Sequence, residues 1–116
     1  MDHPDTIYKI CTALAWADAC ASGAYEGSEA DARDGFIHFS GARQIAETAR
    51  RHFAGQHDLV LVAVKSAALG DALKWEPSRG GDLFPHLYAS LAVDRAESVT
   101  DLPLGPDGHV FPPLKD

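Results

Sequence analysis

The chain has 116 residues, 46% of them hydrophobic, with 17 acidic and 10 basic side chains for a net charge of −7. That length suits one domain with its own core and is too short for two. The acidic balance repels phosphate backbones and anionic lipid, which weighs against nucleic acid or a membrane as partner, and no apolar run nears the roughly 20 residues of a membrane helix. The start, Met1 to Asp5, is polar and acidic where a secretory leader is basic and then apolar, so the expected location is the cytoplasm.

In chain order, Thr6–Cys11 (TIYKIC) is β-branched and aromatic with alternating character, which predicts a strand. Thr12 is placed to cap a helix reaching about Ala21, with Trp16 and Cys20 one turn apart on one face and Gly23 as its stop. From Gly23 to Gly35 the composition turns to Gly, Ser, Asp and Glu around one aromatic, Tyr25, which predicts a binding loop. Gly35–Ser40 (GFIHFS) is expected to be a short strand, and Ser40 to cap the next helix. The apolar residues Ala42, Ile45, Ala49 and Phe53 of that helix recur at helical spacing, and Gly55 ends it. Asp58–Lys65 (DLVLVAVK) predicts a strand buried on both faces.

Ala67–Leu73 has room for one or two helical turns. Pro77 pushes Glu76 towards extended backbone, and Ser78–Asp82 (SRGGD) is expected to be a loop. Leu83–Tyr88 (LFPHLY) leads into Ala89–Val93, and Glu97–Thr100 predicts a last strand. The tail from Leu102 carries four of the seven prolines and predicts an ordered coil. Strands mixed with two substantial helices, without repeat or linker, predict a single α+β domain over residues 1–116, built on small mixed or antiparallel sheets. Cys11 and Cys20 have neither redox nor zinc spacing and are expected to be buried apolar side chains.

Polar chemistry collects in two segments. On a strand, Phe36, His38 and Ser40 share one face, and Phe84, His86 and Tyr88 share another. Two such stripes facing each other, with Trp75–Asp82 as rim, would form an aromatic pocket for a small molecule. Trp75 and Tyr88 would stack on a planar ring, while His38 and His86 would hydrogen-bond ribose or phosphate. Glu76, its pKa raised beside Trp75, would stabilise a developing oxocarbenium ion or activate a nucleophile. His38, His86 and Glu76 match no metal-ligand spacing, so no metal is assigned. Plainer readings exist for each: a satisfied structural histidine, an N-cap serine, a solvated loop carboxylate. An aromatic surface of this kind would also suit a peptide or partner protein, making the domain a non-enzymatic interaction module.

Four segments carry a resemblance to a known family: Ile7-Tyr8-Lys9-Ile10 followed by Trp16, Gly35-Phe36-Ile37-His38-Phe39-Ser40 with Gln44, Lys74-Trp75-Glu76, and Phe84-Pro85-His86-Leu87-Tyr88. Together, over nearly the whole length, they closely resemble a bacterial family known as domain of unknown function 952. At fold level that family is similar to the ADP-ribosyltransferase superfamily, whose members hold NAD in a cleft between two small sheets. The resemblance implies an ADP-ribosyltransferase-like cleft, a nucleotide or other small-molecule ligand, and a transferase using NAD or an ADP-ribose-containing ligand. In that superfamily the first strand often supplies a histidine to an NAD ribose, an aromatic stacks on nicotinamide, and a later glutamate orients the attack. Here the first-strand position is Lys9, which donates to a hydroxyl but cannot act as a neutral imidazole. Catalysis would then fall to Glu76, His38 and His86, and ligand contacts to Ser40, Trp75, Phe84, Tyr88, Tyr25 and Lys9.

Overall fold

The computed structural model describes residues 3–116, the side chain of Arg79 excepted, so Met1 and Asp2 of the acidic start lie outside the described residues. In chain order the elements are β1 (Thr6–Thr12), α1 (Ala13–Ser22), β2 (Ala24–Tyr25), α2 (Glu29–Asp34), β3 (Ile37–His38) and α3 (Ile45–His52). They continue with β4 (Leu59–Lys65), β5 (Leu73–Pro77), β6 (Leu83–Leu87), β7 (Leu91–Ala92), β8 (Ala96–Asp101), β9 (Leu104–Gly105) and β10 (Gly108–His109). Two three-stranded sheets, ordered β1-β4-β8 and β3-β6-β5, dominate this α+β fold, and all their pairings are antiparallel.

The near-continuous apolar run of β4 is explained by its place in the middle of the first sheet, where both faces are covered. Val60, Val62 and Val64 join Ile7 and Cys11 in one core, closed by Trp16 and Ala19 of α1, by Ile37 and Leu87 from the second sheet and by Phe39 just after β3. Leu59, Leu61 and Ala63 join Tyr8 and Ile10 in the other, closed by Ile45 and Ala49 of α3 and by Leu102, Phe111 and Leu114 of the tail. The alternation of β1 thus points Lys9 towards the first core and Tyr8 towards the second.

Local chemistry explains where the chain departs from expectation. Gly23–Gly35 is not a loop but a two-residue strand and a short helix. The helix starts on a capping box, in which Asp31 N donates to Ser28 Oγ (3.2 Å) and Ser28 N donates to Asp31 Oδ2 (2.8 Å). Thr12 caps α1 as expected, accepting from Ala15 N at 3.0 Å, and Gly23 closes it at φ 98°. Cys20 of that helix is exposed rather than buried, because Trp16 and Ala19 take the inner face. Ser40 does not cap α3. Its backbone exchanges hydrogen bonds with Tyr8 (2.8 and 2.9 Å), which keeps it extended, and the helix begins later, at Ile45. The tail is not wholly coil, since β9 and β10 pair as a small hairpin. Among the described residues, no helix is long and apolar enough to cross a membrane.

Candidate functional site

The register of β3 on β6 places His38 directly opposite His86, with ring centroids 5.6 Å apart. The two polar stripes were expected to face each other across a pocket. They lie side by side in one sheet instead, because the strands that carry them are hydrogen-bonded neighbours. Phe36 covers the pair from one side, stacked on His86 at 4.0 Å and tilted against His38 at 4.5 Å.

Beyond the histidines opens a cleft of about 960 Å³, bounded by β1, α2 and α3 and by β3 and β6 of the other sheet. Its wall includes Lys9, Asp31, His38, Ser40, Phe84 and His86. Ser40 and Phe84 are nearly buried there, and Ser40 Oγ pairs with Thr48 Oγ1 at 2.9 Å.

Asp31 is the electrostatic centre of this wall. Its side chain is 2% exposed and it accepts from Lys9 Nζ at 2.9 and 3.2 Å, from His38 Nδ1 at 2.6 Å, and from the backbone N–H groups of His38 (3.1 Å) and Ser28 (2.8 Å). Burial is the largest single influence on its pKa and raises it. The hydrogen bond from His38, the charge and hydrogen bond of Lys9 and the Ser28 N–H together outweigh burial, so Asp31 stays ionised well below the ordinary carboxylate range. The second His38 nitrogen, Nε2, lies 2.9 Å from Asp34 Oδ2. A neutral ring satisfies one of these two carboxylates; the cationic ring satisfies both.

His86 has a different setting. It is 5% exposed, and its Nδ1 lies 2.8 Å from Glu76 Oε1. The hydroxyl of Tyr88 donates to the same oxygen at 2.7 Å. These hydrogen bonds, from Tyr88 first and then from His86, lower the Glu76 pKa, and Glu76 in turn raises that of Tyr88. The expectation that Trp75 desolvates Glu76 and raises its pKa is therefore reversed. The two residues are neighbours on β5 and point to opposite faces of the sheet.

The predicted residues divide accordingly. His38, His86, Ser40, Phe84 and Lys9 line the cleft, and Glu76 reaches it through His86. Trp75 does not: its side chain packs against the first core, and the ring of His3 stacks on it at 4.2 Å with planes 4° apart. Tyr25 is buried in that core against Trp16, and Tyr88 stands outside the cleft beside Phe36. Asp31 and Asp34 were missed, although the Ser28-x-x-Asp31 spacing marks a helix start that could have located them. Among the described residues, no three His, Cys, Asp or Glu side chains are grouped to hold a metal ion.

The model of the family described as Protein of unknown function (DUF952) matches residues 10–99, and the chain belongs to that family. The crystal structure of protein CC0527 from Caulobacter crescentus is similar to it at 50% identity, with a TM-score of 0.87 over 90% of this chain and 91% of that one. The solution structure of the same protein gives a TM-score of 0.82 at 50% identity, over 90% of each chain. No curated protein sequence is significantly similar.

Proposed function

We propose that the cleft binds a small polar ligand of the nucleotide class, and that the domain is a transferase acting on NAD or another ADP-ribose-containing molecule. The observation that carries this reading is the pair of adjacent imidazoles on the wall of a cleft between two small sheets, each tied to a carboxylate. Of this pair His86, bonded at Nδ1 only, offers a polar contact to a ribose hydroxyl or phosphate oxygen, while Phe84 adds an apolar wall. The first-strand cation is already committed, because Lys9 is neutralised by Asp31, and both His38 nitrogens face carboxylates, so the direct ribose contact falls to His86. Trp75 and Tyr25 have no part in this reading.

The test is a titration of isotope-labelled protein with NAD and with ADP-ribose, following amide shifts. Shifts should move at His38, Ser40, Phe84 and His86 and stay put at Trp75 and Tyr25. An unchanged spectrum at millimolar ligand sinks the nucleotide reading.

A further inference from the structure

The two histidines of the cleft are partnered in different ways. Both nitrogens of His38 face carboxylates, Nδ1 at Asp31 (2.6 Å) and Nε2 at Asp34 (2.9 Å). His86 has one partner. Glu76 Oε1 also accepts from Tyr88, and an ionised carboxylate can only accept, so His86 Nδ1 must carry a proton to bond it. In the neutral ring that leaves the lone pair on Nε2.

Among the described residues Nε2 of His86 has no hydrogen-bond partner, yet no buried side-chain nitrogen or oxygen is left unpaired. Nε2 is therefore not sealed from solvent, on a residue that lines the cleft. We propose that His86 Nε2 is the proton-accepting group of the cleft and that Glu76 is its positioning residue, acting through Nδ1 from outside the cleft wall.

This rests on the ligand-binding reading above and narrows its chemistry to an acceptor that carries a hydroxyl. In such a transfer the hydroxyl O–H bond breaks and its proton passes to Nε2. The oxygen keeps the electron pair and bonds to the electrophilic carbon, and the leaving group departs with the electrons of the bond it loses. The Glu76 carboxylate stabilises the imidazolium that results, as a charge beside a general base does. His38 has both ring nitrogens turned to carboxylates, Nδ1 to Asp31 and Nε2 to Asp34, so neither is presented to a ligand hydroxyl and it takes no part in this step.

Diethyl pyrocarbonate tests this without knowledge of the natural ligand, because it acylates imidazole nitrogens that offer an accessible lone pair. Exposure alone predicts faster modification of His38, whose side chain is 35% exposed against 6% for His86. The proposal predicts the reverse order, with His86 several-fold faster by peptide mapping. Compared on the alkaline plateau of the rate, where the ring is neutral in every variant, Glu76→Ala should slow His86 several-fold by freeing the ring to place its proton on Nε2, and Glu76→Gln, which keeps an acceptor oxygen, should restore part of the rate. Circular dichroism checks that each variant is folded. His38 modified first, or a His86 rate indifferent to Glu76→Ala, overturns the proposal. Protection by ADP-ribose is a separate arm: if His86 reacts as expected but ADP-ribose does not shield it, the nucleotide reading falls and the Glu76–His86 assignment stands.

Discussion

The Asp31 carboxylate and the Lys9 ammonium meet at 2.9 Å with their side chains 2% and 8% exposed, joining the start of α2 to the middle of β1. Two ions this far from water are tolerated because each satisfies the other and Asp31 also accepts from His38 and Ser28. Removing one partner strands the other. Asp31→Asn or Lys9→Met alone should cost about 3–5 kcal/mol, and the double variant clearly less than the sum of the two. Urea unfolding of the four proteins measures the coupling. Single variants within about 0.5 kcal/mol of the parent would contradict a buried ion pair.

The same carboxylate sets an acid dependence. The Asp31 pKa is lower in the folded chain than in the unfolded one, where it titrates near the ordinary value of about 3.9. Between those values the unfolded chain binds more protons, so stability falls with falling pH. The contribution is complete above the unfolded value and is lost as the pH drops through the folded one. Urea midpoints taken from pH 6 down to pH 3 should fall for the parent and fall less steeply for Asp31→Asn. Parallel slopes would remove Asp31 as the source.

Tyr88→Phe removes the larger of the two hydrogen bonds that depress the Glu76 pKa, so the Glu76 pKa should rise. Carboxyl carbon shifts report it directly. The reciprocal change is expected in Tyr88, whose phenol should ionise at lower pH in Glu76→Gln, read by ultraviolet absorbance. Tyr88 is 43% exposed and the Glu76 side chain 36% exposed, so neither change should alter stability by much more than about 0.5 kcal/mol.

How far the sequence discloses this arrangement follows from the range of each interaction. The stripe of Ile45, Ala49 and Phe53 and the apolar run of β4 are local patterns that burial reads out directly, and both locate real elements. Alternation also predicts that His38 and His86 each share a face with an aromatic. It does not reveal that β3 and β6 are hydrogen-bonded neighbours, because register is a long-range property. Adjacency in sequence suggests that Trp75 and Glu76 act as one unit, but alternation on β5 separates them. Asp31 is hidden for a third reason: a carboxylate amid Gly, Ser and Glu has the composition of a loop, and its burial is tolerated through the long-range partner Lys9 together with His38 and the Ser28 N–H.

Trp75 carries a prediction of its own. The His3 ring lies parallel on its indole at 4.2 Å, on a side chain that otherwise packs against the core. His3→Ala should uncover that indole face, raising acrylamide quenching of Trp75 fluorescence in a Trp16→Phe background. Global stability should hardly move, since His3 itself is exposed. Unchanged quenching would mean that the stack does not shield the indole in solution.

The two cysteines should differ sharply in reactivity. Cys11 lies on the core face of β1, 5% exposed, whereas Cys20 sits on the open face of α1. Burial pushes the Cys11 thiol from 9.0 to about 11; the nearby Lys9 charge lowers it somewhat and Asp31 raises it. The thiolate is the nucleophile, so iodoacetamide at neutral pH should label Cys20 alone in the folded protein and both residues in urea. The same shift has an alkaline consequence. Between the unfolded value of 9.0 and the folded value of about 11 the folded chain holds a proton that the unfolded chain has lost, so stability falls as pH rises through that interval. The loss from this group is at most about 3 kcal/mol. Cys11→Ala should flatten the dependence of the urea midpoint over that range, at the cost of a small cavity beside Val60 and Val62. A Cys11 that labels as fast as Cys20 in the folded state would show that the core around β1 opens far more readily than its packing implies.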